Sequence, residues 1–348
     1  MKAKRILSIV LAAVMMLSVM TFASCGDQEA GYNIPIVCGE TGMNDAMGVA
    51  TYGVDYYNLG VKAGDMAADI LLNGADISTM SVQTDPNPAL SINENVAEAI
   101  GFKIPDAIKN KATGGATQEV TRVTSAIVTE NADFTVGILQ LVQHVALDQS
   151  NKGFQDQLSV RMNAAGKTVA IQDKNASNEQ SNNVTIAESF VSQNVDLIYT
   201  IATSSSQAAA AATAESKIPV LFNAVTDPVD AGLVDSMAVP GGNVSGVSDI
   251  NPVALQIDLI GELLGKDDIK IGLLYTSAET NSVYQIRLAK AECEAKGYSF
   301  VDKGIGDIND IQSALIALEA EGVDAIYIPT DNVLANGAST VHSLNIGQ

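Results

Sequence analysis

The chain has 348 residues, 47% hydrophobic and 17% charged, the balance of a globular protein rather than a disordered one, and its length suits two domains or lobes. A formal net charge of -21 makes nucleic acid and anionic membrane surfaces poor partners, because both are bound through clustered lysine and arginine. Cys25, Cys38 and Cys293 lack the close spacing of a metal site.

Residues 1–24 read as an export signal: Lys2, Lys4 and Arg5 precede an almost wholly apolar run, 6–20, that ends in Phe22-Ala23-Ser24-Cys25-Gly26. Small residues directly before a cysteine resemble the bacterial lipobox, whose cysteine is lipidated and becomes the mature N-terminus. Cys25 is therefore the expected lipidation site and 25–33 a polar tether. The alternative is an uncleaved anchor, although the apolar run is shorter than the roughly 20 residues of a spanning helix. Cys38 and Cys293 read as buried small hydrophobes, with a disulfide between them as the alternative.

In chain order, 34–43 is an apolar strand ending around a glycine-flanked acid, Glu40. Residues 49–54 are strand-like, and 57–72 carry Leu59, Ala63, Met66, Ala67 and Ile70 at helical spacing, closed by Asn73-Gly74. Residues 81–91 are extended around Pro86 and Pro88, and 93–100 form a short helix capped by Asn93. Residues 107–133 read as a linker around Gly114-Gly115, with an edge strand through 120–128 as the alternative. The pattern then becomes regular: strands at 134–141, 168–173, 195–202 and 218–224 alternate with helices at 148–165, 182–193 and 207–215. A crossing strand follows at 243–250, and Asn251-Pro252 opens the next helix. A second round has strands at 269–275, 299–302 and 323–328 and helices at 282–296, 307–320 and 335–344. Such alternation implies right-handed crossovers and parallel sheets.

The two rounds repeat one another: Val195-Asp196-Leu197-Ile198-Tyr199 is answered by Val323-Asp324-Ala325-Ile326-Tyr327. The first round continues to a fourth strand, Ile218-Pro219-Val220-Leu221-Phe222, whereas the counterpart in the second, Ile34-Pro35-Ile36-Val37-Cys38, stands at the opposite end of the chain. The expected architecture is α/β, two Rossmann-like lobes with parallel sheets joined by a hinge and circularly permuted. Residues 134–247 form lobe 1 and 248–348 lobe 2. Residues 34–106 are the displaced segment that completes lobe 2 and crosses back to lobe 1, and the linker joins the former termini.

In open parallel sheets ligands bind beyond the carboxyl ends of the strands. Those ends collect Gln143, His144, Thr203, Ser204, Ser205, Thr226, Asp227, Ser277, Glu279, Asn281, Ser282, Asp331, Asn332 and Glu40, with Tyr56 at a crossing. Helix-opening Ser, Thr and Asn favour an anionic group and the carboxylates a cation. Together they suit a small zwitterion with its ammonium on Asp331, Glu279 or Glu40. Each residue taken singly reads equally well as a cap, turn or packing group. No nucleophile elbow, phosphate loop, dinucleotide fingerprint or histidine cluster occurs, so no catalytic residue, metal or cofactor is expected. A surface hydrolase or isomerase using Glu279 and Asp331 and a ligand-sensing ectodomain are the alternative functions.

The stretches FTVGILQLVQHVALD (134–148), AVTDPVDAGLV (224–234), PGGNVSGVSD (240–249), YTSAETNS (275–282), IPTDN (328–332) and ATYGVDYYNLG (50–60) resemble the ABC-transporter substrate-binding lipoproteins of the tryptophan/tyrosine-binding type. The resemblance implies a type I periplasmic-binding-protein fold. It would be a monomer, lipid-anchored on the outer face of the cytoplasmic membrane, closing on an aromatic or related amino acid and presenting it to a permease and its ATPase. The family's ligand positions carry over to Ser277, Glu279, Asn281, Ser282, Thr203 and Asp331. The segment order departs from the family's, because residues 34–106 would ordinarily follow the second lobe.

Overall fold

The computed structural model describes residues 31–112 and 118–347, so the expected signal peptide, Cys25 and most of the tether lie outside the described residues. Lobe 2 begins with β1 (Ile36–Cys38) and α1 (Thr41–Met47), where the sequence predicted strand as far as residue 43. Glu40 ends the strand: its carboxylate accepts the Gly42 and Met43 N–H groups at 2.5 and 2.6 Å, which caps a helix with no apolar period of its own. After β2 (Ala50–Gly53) comes α2 (Tyr56–Asn73), capped by Asp55 and closed by Gly74 at φ +65°. This helix belongs to lobe 1, where Leu59, Ala63 and Met66 pack with Val136, Ile138 and Phe154. The chain returns through a bridge between Gln83 and Val247 to β3 (Ala89–Ile92), α3 (Glu94–Ala99) and α4 (Asp106–Lys109).

Residues 118–133 are fastened along lobe 1 by side chains rather than by a ladder. Tyr57 Oη bonds the backbone of Val120, Arg122 pairs with Asp156 at 2.5 Å, and one bridge joins Ile127 to Val169. That single bridge is all that stands where the edge-strand alternative lay. Lobe 1 follows as β4 (Phe134–Gln140), α5 (Val145–Ala164), β5 (Val169–Asn175), α6 (Gln180–Ser192), β6 (Leu197–Ile201), α7 (Thr203–Ala212), β7 (Val220–Asn223) and β8 (Val244–Val247). Its sheet runs β5-β4-β6-β7-β8, parallel throughout. Helices α2 and α5 cover one face, and α6 and α7 the other.

The chain then builds the rest of lobe 2 from α8 (Val253–Leu264), β9 (Lys270–Thr276), α9 (Thr280–Lys296), β10 (Ser299–Ile305), α10 (Ile311–Ala320), β11 (Ala325–Ile328), α11 (Asn332–Asn336) and α12 (Ala338–Ile346). The single helix expected at 335–344 is two, divided at Gly337, a poor helix former. The lobe 2 sheet runs β10-β9-β11-β1-β2-β3, with β3 antiparallel to β2 and the other pairs parallel. The distant strand β1 sits beside β11, with Ile36, Val37 and Cys38 in register with Ile326, Tyr327 and Ile328. At the edge of this pair, Asn33 N–H donates to the Asn345 carbonyl at 2.9 Å and the Asn345 side chain brackets the backbone of Ile34. Successive strand residues point to opposite faces. Cys38 therefore joins the core under α10 and α12, whereas Cys293 lies in the core under α8 and α9. Both thiols are free, and the sheet between them rules out the disulfide.

Candidate functional site

The carboxyl ends of the two sheets meet across a closed cleft. Among the described residues, three connections cross between the lobes, at 53–56, 82–89 and 247–253. On the cleft axis lies a cavity of about 10 Å³ with Glu40, Tyr56, His144, Thr226, Asp249, Asn281, Asp331 and Asn332 in its wall and Met43, Leu147 and Ala335 as apolar lining. That volume holds about one water, so a ligand of amino-acid size enters only when the lobes part. A wider groove of about 890 Å³ opens beside it and shares Tyr56. Polar contacts span the closed lobes: His144 Nε2 lies 3.3 Å from Asn332 Oδ1, Arg287 of α9 meets Asp230 at 2.7 Å, and Tyr284 of α9 meets Asp227.

Four acids are buried at the site, yet they differ in what their oxygens are already doing. Asp331 caps α11 through Leu334 N–H and also accepts from Thr276 N–H, Thr276 Oγ1 and Ser282 Oγ, so its four lone-pair positions are filled. Glu279 is equally engaged, by Asn281 and Asn332 side-chain amides and by the N–H groups of Asn332 and Val333. Glu40 accepts only its two cap N–H groups. Asp249 accepts Tyr56 Oη at 2.6 Å and Thr226 Oγ1 at 3.3 Å. Glu40 and Asp249 are each 1% exposed, line the same cavity and retain acceptor capacity. Burial pushes the Glu40 carboxyl up to about 7, opposed by the cap N–H groups and reinforced by the charges of Asp45 and Asp249. Asp249 is also raised by burial, and Glu279 is pushed up to about 7 by burial and by the charge of Asp331. Burial moves His144 the other way, disfavouring its cation.

Of the residues the sequence singled out, Glu40, Tyr56, His144, Thr226, Asn281, Asp331 and Asn332 line this cavity. Glu279 and Ser282 stand behind it, where they fix Asn332 and Asp331. Ser277 is exposed and its hydroxyl donates to the Ile305 carbonyl at the β9–β10 edge, while Gln143 is exposed just before α5. Asp227 caps Val229 and Asp230 N–H in a loop that meets Tyr284 of α9, away from the cavity. Thr203 opens α7, and its buried Oγ1 has no hydrogen-bond partner among the described residues. Ser204 is half-buried, and the Ser205 hydroxyl is spent on Asn183 Oδ1 at 2.7 Å. Asp249 was missed by the sequence reading. It follows a strand that read only as a crossing, and the available signal was an acid placed directly after that apolar strand and before Asn251-Pro252.

The family model for ABC transporter substrate binding proteins matches residues 10–115 and 135–347. The chain belongs to that family. A tyrosine-binding protein of Clostridioides difficile is 39% identical over 206 residues, which is 59% of this chain and 59% of that protein, so the match spans less than two thirds of its length. The structure of an ABC domain from Streptococcus pneumoniae in complex with L-Trp is 35% identical, with 62% of this chain and 71% of that one covered, at a TM-score of 0.53. A conserved domain protein from Vibrio cholerae is also 35% identical, with 61% and 71% covered, at a TM-score of 0.56. Like other ABC substrate-binding proteins, this one has the periplasmic-binding-protein fold.

Proposed function

We propose that this substrate-binding protein captures an amino acid, aromatic or related, and presents it to an ABC permease and its ATPase from the outer face of the membrane, held there by lipid on Cys25. The observation that carries the amino-acid reading is the Glu40–Asp249 pair, two buried carboxylates with free acceptor positions on one interlobe cavity. Together with the Tyr56 hydroxyl oxygen they match the three donors of a primary ammonium, and such charge-assisted bonds are the strong ones. We assign the ligand carboxylate to the start of α7, outside the wall of the closed cavity, where the buried Thr203 hydroxyl has no partner among the described residues and the helix dipole favours an anion. The relatives seen with L-Trp or named for tyrosine point to the same ligand class.

The order of segments supports a permuted chain. Residues 31–112 supply β1, β2 and β3 to lobe 2 and α2 to lobe 1, and β1 takes the place beside β11 that β7 takes beside β6. Residues 107–133 then join what an unpermuted relative would have as its two ends.

Thermal denaturation with single L-amino acids tests the ligand reading. A ligand at a hundredfold its Kd adds about 2.7 kcal/mol of stability, a clear rise in melting temperature. If no amino acid shifts the transition, the amino-acid reading is wrong.

A further inference from the structure

We infer that when the lobes close without ligand, the Glu40–Asp249 pair takes up one proton, and that the ammonium of an arriving amino acid displaces it. The inference rests on the proposed amine site. Glu40 comes from the end of β1 and Asp249 from the crossing after β8, and with His144, Leu147 and Thr226 of lobe 1 closed over them the two carboxylates share one water-poor cavity. The other titratable groups facing them are Asp45 from α1, Tyr56 from α2, His144 at the start of α5, and Asp331 and Glu279 beyond β11 and β9. None of these brings a positive charge near neutrality: four are acids or a phenol, and burial disfavours the cation of His144. Among the described residues, the cavity wall contains no lysine or arginine. Like charges enclosed together do not both stay ionised, so the pair needs a cation or a proton as it leaves water. Asp331 and Glu279 face the same problem, but both oxygens of Asp331 are filled by fixed donors, and Glu279, which accepts four bonds, stands behind the cavity wall. Only the Glu40–Asp249 pair can trade its proton for a ligand. The exchange balances simply: one O–H bond breaks, the proton goes to solvent, and the ammonium keeps its own protons.

Two measurements on the full-length protein test this. Titration calorimetry with L-tyrosine and L-tryptophan, repeated in buffers of different ionisation enthalpy, reads protons released per ligand bound. Release of up to one proton is expected below about pH 7, with affinity falling by about tenfold per pH unit on the acid side. Binding with no proton release and a flat pH profile overturns the inference while leaving the ligand reading intact. Small-angle X-ray scattering without ligand reads closure directly: acid pH should compact the wild-type protein, and Asp249→Asn and Glu40→Gln should each weaken that response. If neither amino acid binds, the ligand reading fails and the scattering decides alone. Dimensions that do not change with pH in the wild-type protein overturn the proton.

Discussion

Asp331 accepts four hydrogen bonds and Asp249 two, although both are buried acids beyond the ends of strands. Their substitutions should separate accordingly. Asp249→Asn removes a charge-assisted acceptor worth about 1.5–3 kcal/mol, so L-tyrosine or L-tryptophan affinity should fall by at least about tenfold in calorimetry, with melting near that of the wild type. Asp331→Ala removes a helix cap and orphans Thr276 N–H, so its main effect should be a lower melting temperature. Glu40 predicts a pH dependence whose sign follows from its raised pKa. The fold favours the protonated acid, so its contribution to stability is present at low pH and is lost as pH rises from the ordinary 4.5 through about 7. Glu40→Gln should accordingly gain stability relative to the wild type between about pH 5 and about pH 8, as read by urea melts. Arg287→Gln removes a half-exposed contact that exists only between closed lobes. It should speed ligand release while lowering affinity by about fivefold at most, an effect that salt should reproduce in the wild-type protein.

The elements are joined most closely where glycines let two helices touch. A Cβ on Gly60 would stand 2.1 Å from the Ser150 carbonyl oxygen, and one on Gly153 would stand 2.1 Å from that of Tyr57. Helix α2 is thereby pressed against α5, and this contact carries the early segment into lobe 1. Gly60→Ala should cost roughly 1–3 kcal/mol in a denaturant melt, since the overlap is with backbone and no side-chain rotation relieves it. Long periodic helices such as α2 were readable from their apolar stripe. Helix α1 was not, because its residues have no stripe and its formation depends on the Glu40 cap. Helices α5 and α7 begin earlier than their patterns suggested, at Val145 and Thr203; α7 opens on Thr203-Ser204-Ser205-Ser206, polar residues that break the period.

At the scale of the whole molecule, two sheets share a hinge and the ends of the described chain meet. Gly31 to Ile34 lies against Asn345 to Gly347, with Asn33 N–H on the Asn345 carbonyl. A reordered chain, residues 118–347 followed through a short glycine linker by 31–112, should therefore fold with the same melting profile and the same amino-acid preference. Loss of folding in that chain would count against the permutation.

The repeated strand motifs and the distant Ile34-Pro35-Ile36-Val37-Cys38 were sufficient to give an α/β fold with two mostly parallel sheets, because each is a local pattern with one buried solution. The division of labour among the acids was decided only in three dimensions. Whether a carboxylate is spent on backbone N–H groups or left free depends on which distant turns arrive beside it. For Asp331 those come from β9 and α9, and for Asp249 from Tyr56 almost two hundred residues away in sequence.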